Sequence, residues 1–216
     1  IIAIIGFPNF TRGYVYNSAA VLGQKKLCGI YDKVLLPNYG VFDEKRYFAA
    51  GKYLYVFRLN EIIFGINICE DIWHKDGPYV LQAKAGCRLI INISSSPYHR
   101  GKLILRKSLL IQRARQTQAH IAYCNIVGGQ DELVFDGASF IVGPRGKVLA
   151  RGKQFQEDLL VADLKIPSSP SRKGYAFERL KLINLPKIIK KGSATLQTKI
   201  PKLLSSEDEV YLALML

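Results

Sequence analysis

Ile62-Ile-Phe-Gly-Ile-Asn-Ile-Cys-Glu-Asp-Ile-Trp73 is an apolar run that breaks abruptly into acids, and what lies on either side of it decides the fold class. Ile62 to Ile68 reads as a strand beside a second one at Tyr53 to Phe57, and a short helix follows over Tyr79 to Ala85. Arg88 to Ile93 is a continuous apolar strand of the kind buried inside α/β proteins. The spacing of Leu103, Leu110 and Ala114 predicts a helix over Lys102 to Gln118, with Arg106, Lys107, Arg113 and Arg115 read onto its wet side. Further strands are expected at His120 to Asn125, Ala138 to Val142 and Val148 to Ala150, set apart by the turn signals Asp136-Gly137, Gly143-Pro144 and Gly146. Strands alternating with helices and closing in hairpins make this an α/β domain.

With 216 residues and 49% hydrophobic content, the chain can bury one sizeable core. Cys28, Cys69, Cys87 and Cys124 stand singly, with no C-x-x-C pair, which points to a reducing, cytoplasmic setting. The longest apolar stretches fall far short of the ~20 residues that cross a bilayer. The opening Ile1-Ile-Ala-Ile-Ile-Gly6 has neither an initiator Met nor a basic leader, so it reads as a buried strand and the chain is expected to begin inside a domain. Near the other end Ser206 stands three residues before Glu209, a capping-box spacing that predicts a helix, within which the sequence is expected to stop. The net charge of +14 is densest between Arg172 and Lys202, where nine Lys/Arg face the single acid Glu178. That stretch holds only Tyr175 and Phe177 as aromatics, is interrupted by Pro186 and Pro201, and shows no recognition motif. It reads as a solvated or partner-facing tail, and nucleic acid is not the expected partner.

Reactive groups belong where strands end, because backbone polar groups there are open to a ligand. Cys69 leaves Ile66-Asn67-Ile68 directly into Glu70-Asp71, a suitable place for a reactive thiol. On position alone, the commoner fate of a single cysteine, that of a small buried hydrophobe, stands beside it. Cys28, Cys87 and Cys124 have no such acidic exit. A thiol nucleophile also needs a base and a positive or N–H-rich site for the oxyanion. His74, His99 and His120 lie in no local signature and are read as structural. Lys33, before an apolar run stopped by Pro37, is the best-placed positive group, although an exposed salt-bridging lysine is the plain alternative.

Four blocks in order carry a resemblance. They are Lys33-Val-Leu-Leu-Pro-Asn-Tyr-Gly-Val-Phe-Asp-Glu-Lys-Arg-Tyr-Phe48, Gly65-Ile-Asn-Ile-Cys-Glu-Asp-Ile-Trp73, Asn92-Ile-Ser-Ser-Ser-Pro-Tyr-His99 and Asn125-Ile-Val-Gly-Gly-Gln-Asp-Glu-Leu-Val-Phe-Asp-Gly137. With their flanks they span roughly Ile2 to Leu164 and resemble the glutaminase domain of glutamine-dependent NAD synthetases, a branch of the nitrilase or carbon–nitrogen hydrolase superfamily. The resemblance implies a nitrilase-like four-layer α-β-β-α sandwich, incomplete at the N-terminus, and a Glu-Lys-Cys triad. It implies that Cys69 attacks the glutamine carboxamide and releases ammonia, while Lys33, with the backbone N–H of Glu70, holds the oxyanion. It places Tyr39, Ser96 and Lys102 around the glutamine, and makes Glu44 the buried glutamate that orients the lysine. The alternative for Glu44 is a surface carboxylate beside Lys45 and Arg46. No metal ligand is assigned.

The same resemblance puts the general-base glutamate in a segment ahead of the first strand. Without it, turnover is expected to drop by ~10²–10⁴-fold. The expected organisation is a partial glutaminase domain over 1–165, a basic connecting tail over 166–204, and from 205 to 216 the start of a helix leading into a synthetase domain. By resemblance the whole enzyme is a carbon–nitrogen ligase that uses glutamine as amide donor to amidate nicotinic acid adenine dinucleotide. ATP and Mg are expected for the synthetase domain, none for the glutaminase step, and the family implies homo-oligomers. A free-standing nitrilase-type amidase on another small amide, and a non-catalytic interaction module, stay open as alternatives.

Overall fold

The computed structural model describes residues 1–169, 178–188 and 200–216. The expected basic tail from Arg172 to Lys202 falls for the most part outside them. In chain order the elements begin with β1 (Ile2–Thr11), β2 (Tyr14–Gly23), β3 (Lys26–Asp32), α1 (Glu44–Tyr47), β4 (Leu54–Leu59), β5 (Ile62–Ile68), α2 (Glu70–Trp73), α3 (Pro78–Lys84) and β6 (Leu89–Ser94). They continue with α4 (Lys102–Thr117), β7 (His120–Asn125), β8 (Val127–Gln130), β9 (Leu133–Asp136), β10 (Phe140–Val142), β11 (Val148–Arg151), β12 (Leu180–Asn184) and α5 (Ser206–Met215). Two compact units divide the chain after Ile90, the segment beginning at Ile166 returning to the first.

In the first unit β1, β2 and β3 form an antiparallel sheet joined by two-residue turns. Arg12 and Gly13 in one turn, and Gln24 and Lys25 in the other, all have positive φ, the combination whose twist matches that of the flanking strands. β4 pairs antiparallel with β5 through a turn at Asn60, φ 52°. Phe57 stacks on Phe64 with ring centroids 5.5 Å apart, and both are buried with Val56, Ile66 and Ile72. α3 lies against β5, tied down by Gln82, whose amide accepts from Asn67 Nδ2 at 2.6 Å and donates to the Ile66 carbonyl at 3.0 Å. β12 runs parallel to β4, a strand inside the stretch expected to be a connecting tail. Its alternation of leucines with a lysine fits an edge position, and Ile183 reaches so close to Gly29 of β3 that a Cβ there would lie 2.7 Å from it.

In the second unit α4 packs on β7 and β10, and β10 pairs antiparallel with both β7 and β11. The expectation that Arg106 and Arg113 face water is corrected, since both are buried. Arg106 lays its fork on Asp136, with Nη1 3.0 Å from Oδ2 and Nη2 2.8 Å from Oδ1, and its guanidinium lies over the Tyr123 ring at 5.7 Å. A guanidinium whose fork is taken by a carboxylate and whose face is covered by a ring tolerates burial, which hydrophobic spacing cannot foresee. β8 and β9 form a short hairpin that ends at Asp136. The cap of α5 is Ser205, one residue ahead of the expected Ser206: its hydroxyl accepts from the Asp208 N–H at 3.0 Å, while Ser206 Oγ accepts from Arg100 at 2.8 Å.

Candidate active site

Lys33 follows the last residue of β3 and is 1% exposed, so the exposed-lysine alternative does not hold. Its backbone is fixed on both sides: its N–H donates to the Asn17 carbonyl, and its carbonyl accepts from the Gly51 N–H, each at 2.8 Å. Gly51 is needed for that approach, because a Cβ there would collide with the Asp32 carbonyl. The ammonium lies 2.7 and 2.8 Å from the two oxygens of Glu44. Glu44 opens α1 and turns inward to the lysine, leaving Arg46 to pair loosely with Asp43 at 3.8 Å. The surface-carboxylate alternative for Glu44 is thereby set aside. A buried ammonium gripped by both oxygens of one carboxylate is held in a fixed place.

Cys69 directly follows β5 and is the cap residue ahead of α2. Its backbone sits at φ 41°, ψ −100°, a region that costs a non-glycine residue free energy and persists only where its surroundings enforce it. The Ile72 N–H closes the turn onto the Cys69 carbonyl at 3.2 Å. Cys69 is 9% exposed and forms no disulfide. Cys87 is the contrast, a thiol that burial alone pushes far up and that reads as inert filling.

Tyr39 comes from the loop after Lys33 and donates its hydroxyl to Glu70 at 2.8 Å. Partial desolvation, the bond to Glu70, the charge of Glu70 and then that of Cys69 raise the phenol to about 12. Tyr39 is 58% exposed, with its ring edge-on to Phe42. Lys33, Glu44, Tyr39, Cys69 and Glu70 therefore all belong to the first unit. Ser96 and Lys102 are carried by the second. There the buried Ser96 donates its N–H to Asn125 Oδ1 at 2.9 Å, and Lys102 opens α4 with its N–H on the His99 carbonyl at 2.9 Å.

Sequence reasoning missed Asp71 and Tyr31. Asp71 is fully buried and accepts from the Leu35 N–H at 2.9 Å, the Ile68 N–H at 3.0 Å and the Tyr31 hydroxyl at 2.7 Å. Burial raises its carboxyl to about 6, opposed by those three bonds and by the nearby charge of Lys33. Burial first, and then Asp71, push Tyr31 well above the usual phenol range, so Tyr31 is the donor of the pair. The available signal was an acid enclosed between Ile68 and Ile72 in an otherwise apolar run.

The chain is 49% identical over 152 residues to a glutamine-dependent NAD(+) synthetase of Thermotoga maritima, a match covering 70% of this chain and 26% of that protein. A second such synthetase, from Aquifex aeolicus, is 38% identical over a match that covers 100% of this chain and 39% of the relative. The chain thus spans well under half the length of these curated relatives. The solved structure of glutamine-dependent NAD+ synthetase from Acinetobacter baumannii in complex with ADP superposes with a TM-score of 0.79 at 35% identity, covering 99% of this chain and 36% of that one. It shares the nitrilase-type α/β sandwich expected from the four blocks. The sequence profile of carbon-nitrogen hydrolases matches residues 1–171, taking in both the buried lysine and the strained cysteine turn, and it is to this family that the chain belongs.

Proposed function

We propose that Cys69 hydrolyses the side-chain amide of glutamine, and that this chain is the ammonia-releasing portion of a glutamine-dependent NAD synthetase. One observation supports the reading above all others. The buried Lys33 ammonium is fixed by Glu44 on a segment that hydrogen bonds through Leu35 to the turn carrying Cys69. In the first step the Cys69 sulfur bonds to the carboxamide carbon, the C–N bond breaks, and the thiol proton leaves with ammonia. Lys33 stabilises the tetrahedral oxyanion, with the Glu70 N–H as a second donor. Water then cleaves the thioester, freeing glutamate and the thiol. By the same resemblance Tyr39, Ser96 and Lys102 are assigned to glutamine, the Lys102 ammonium suiting its α-carboxylate. The ammonia amidates nicotinic acid adenine dinucleotide on a synthetase domain that uses ATP and Mg, in a cytoplasmic homo-oligomer. Among the described residues no helix is long and apolar enough to cross a membrane.

The test is labelling of the chain by a chloroketone analogue of glutamine, followed by peptide mass spectrometry. A single adduct at Cys69, suppressed by free glutamine, is the expected result. Even labelling of Cys28, Cys69, Cys87 and Cys124 overturns the reading. Suppression by other small amides as strong as that by glutamine removes the substrate assignment and leaves the amidase chemistry.

A further inference from the structure

The two groups that must meet a carboxamide sit on different pieces of chain, and one carboxylate touches both pieces. Asp71 Oδ1 accepts from the Leu35 N–H, two residues beyond Lys33. Oδ2 accepts from the Ile68 N–H, immediately before Cys69, and from the Tyr31 hydroxyl, two residues before Lys33. We propose that Asp71 is a positioning residue for amide hydrolysis, its two oxygens fixing the Lys33 segment against the Cys69 turn so that ammonium and thiol share one reaction centre. This rests on the glutamine-hydrolysing reading above.

Asp71 suits this work for three reasons. An ionised carboxylate is acceptor-only and short, so it can take three converging donors, whereas an amide in its place turns an N–H toward one of them. Space-filling alone is better served by an apolar side chain, since a buried charge is costly to desolvate. The Cys69 backbone lies at φ 41°, a conformation that needs restraint from outside the turn, and the Ile68 N–H bond supplies it from the adjoining residue. Gly77 lets the chain beyond α2 close over the carboxylate's own backbone, because a Cβ there would collide with the Asp71 carbonyl.

Asp71 is fully buried and its oxygens are taken by the Leu35, Ile68 and Tyr31 donors, so its loss should change the rate of bond formation and leave affinity alone. The experiment is saturation kinetics of Cys69 labelling by the glutamine chloroketone in wild type, Asp71→Asn and Tyr31→Phe, with iodoacetamide labelling of the exposed Cys124 as reference. A displacement of ~1 Å costs about 10²-fold in rate. Asp71→Asn is therefore expected to lower the limiting rate by roughly 30- to 100-fold, and Tyr31→Phe by a few-fold, at unchanged half-saturation and unchanged Cys124 labelling. If Asp71→Asn does not fold, Tyr31→Phe decides alone. Wild-type limiting rates in the folded variants overturn the proposal, including the case where Asp71→Asn only lowers the melting temperature. So does a rise in half-saturation at constant limiting rate. Failure of the underlying reading looks different: wild-type Cys69 would then react no faster than Cys124.

Discussion

Two buried cations, one in each unit, are held by carboxylates in different ways. Arg106 spends its fork on Asp136, with both side chains sealed at 0% exposure, and covers a face with Tyr123. Lys33 gives two short bonds to Glu44, whose side chain is 20% exposed, and an ammonium carries three donors. The guanidinium pair is a sealed joint that fastens α4 to the end of β9. The ammonium pair holds a point charge with one N–H beyond the two that Glu44 takes, on a segment that Asp71 joins to the strained Cys69 turn. The lesson is that burial of a charge does not by itself mark chemistry; what sets Lys33 apart is that its segment is tied through Asp71 to the turn that carries a thiol.

That contrast breaks most sharply at the sulfur. Cys69→Ala is expected to abolish ammonia release from glutamine and labelling by the chloroketone while the chain still folds, since only the sulfur atom is removed. Glutamine-driven NAD formation by an enzyme carrying this chain should vanish while ammonia-driven formation persists. Loss of both together would make Cys69 a fold residue. Lys33→Met is the next largest effect on rate, a drop of ~10²–10³-fold in Cys69 acylation, the usual cost of removing an oxyanion donor. Arg106→Met should do the opposite: it leaves Asp136 buried without its partner, costing about 3–5 kcal/mol in urea unfolding, and a joint Arg106→Met, Asp136→Leu variant should recover most of that. If Lys33→Met destabilises as much as Arg106→Met while sparing the rate, the two pairs are alike and the contrast fails.

Much of this was legible in the sequence. Ile62 to Ile68, His120 to Asn125 and the α4 helix were readable because periodicity and strand-length apolar runs are local signals. The resemblance in four blocks pointed to Lys33, Tyr39, Glu44, Cys69 and Glu70, which the first unit carries, and to Ser96 and Lys102, which the second carries. What stayed hidden shares one cause, pairing between distant residues. Arg106 looked solvated because its partner Asp136 lies 30 residues on, and Asp71 looked like another exit acid because its donors Tyr31 and Leu35 come from an earlier strand and loop. The β12 strand was hidden by its basic surroundings, since its pairing with β4 depends on backbone and not on hydrophobic pattern. The Ser205 cap differs from the expected Ser206 by the one residue at which helix ends are hardest to read.

The smallest effect concerns pH, and its sign follows from Asp71. Its native carboxyl is raised from 3.8 to about 6, so the native state holds this proton more tightly than the unfolded chain does. Below about pH 4 both states are protonated and the contribution to stability is complete; as pH rises toward about 6 the unfolded chain releases the proton first, and stability falls. The groups facing the carboxyl are the Tyr31 phenol, which its own raised value keeps protonated throughout, and the Lys33 ammonium, whose charge limits the rise. Asp71→Asn cannot titrate and loses hydrogen bonds at every pH, so it should be the less stable chain. The gap in unfolding free energy between it and the wild type should narrow from about pH 4 to about pH 6, on the order of 2–3 kcal/mol in all, and then stay level. A gap that widens over that interval would mean that the charged carboxylate is favoured by its donors more than burial penalises it, which would make Asp71 a stabilising anchor and not a charge kept at a cost for the sake of the neighbouring thiol.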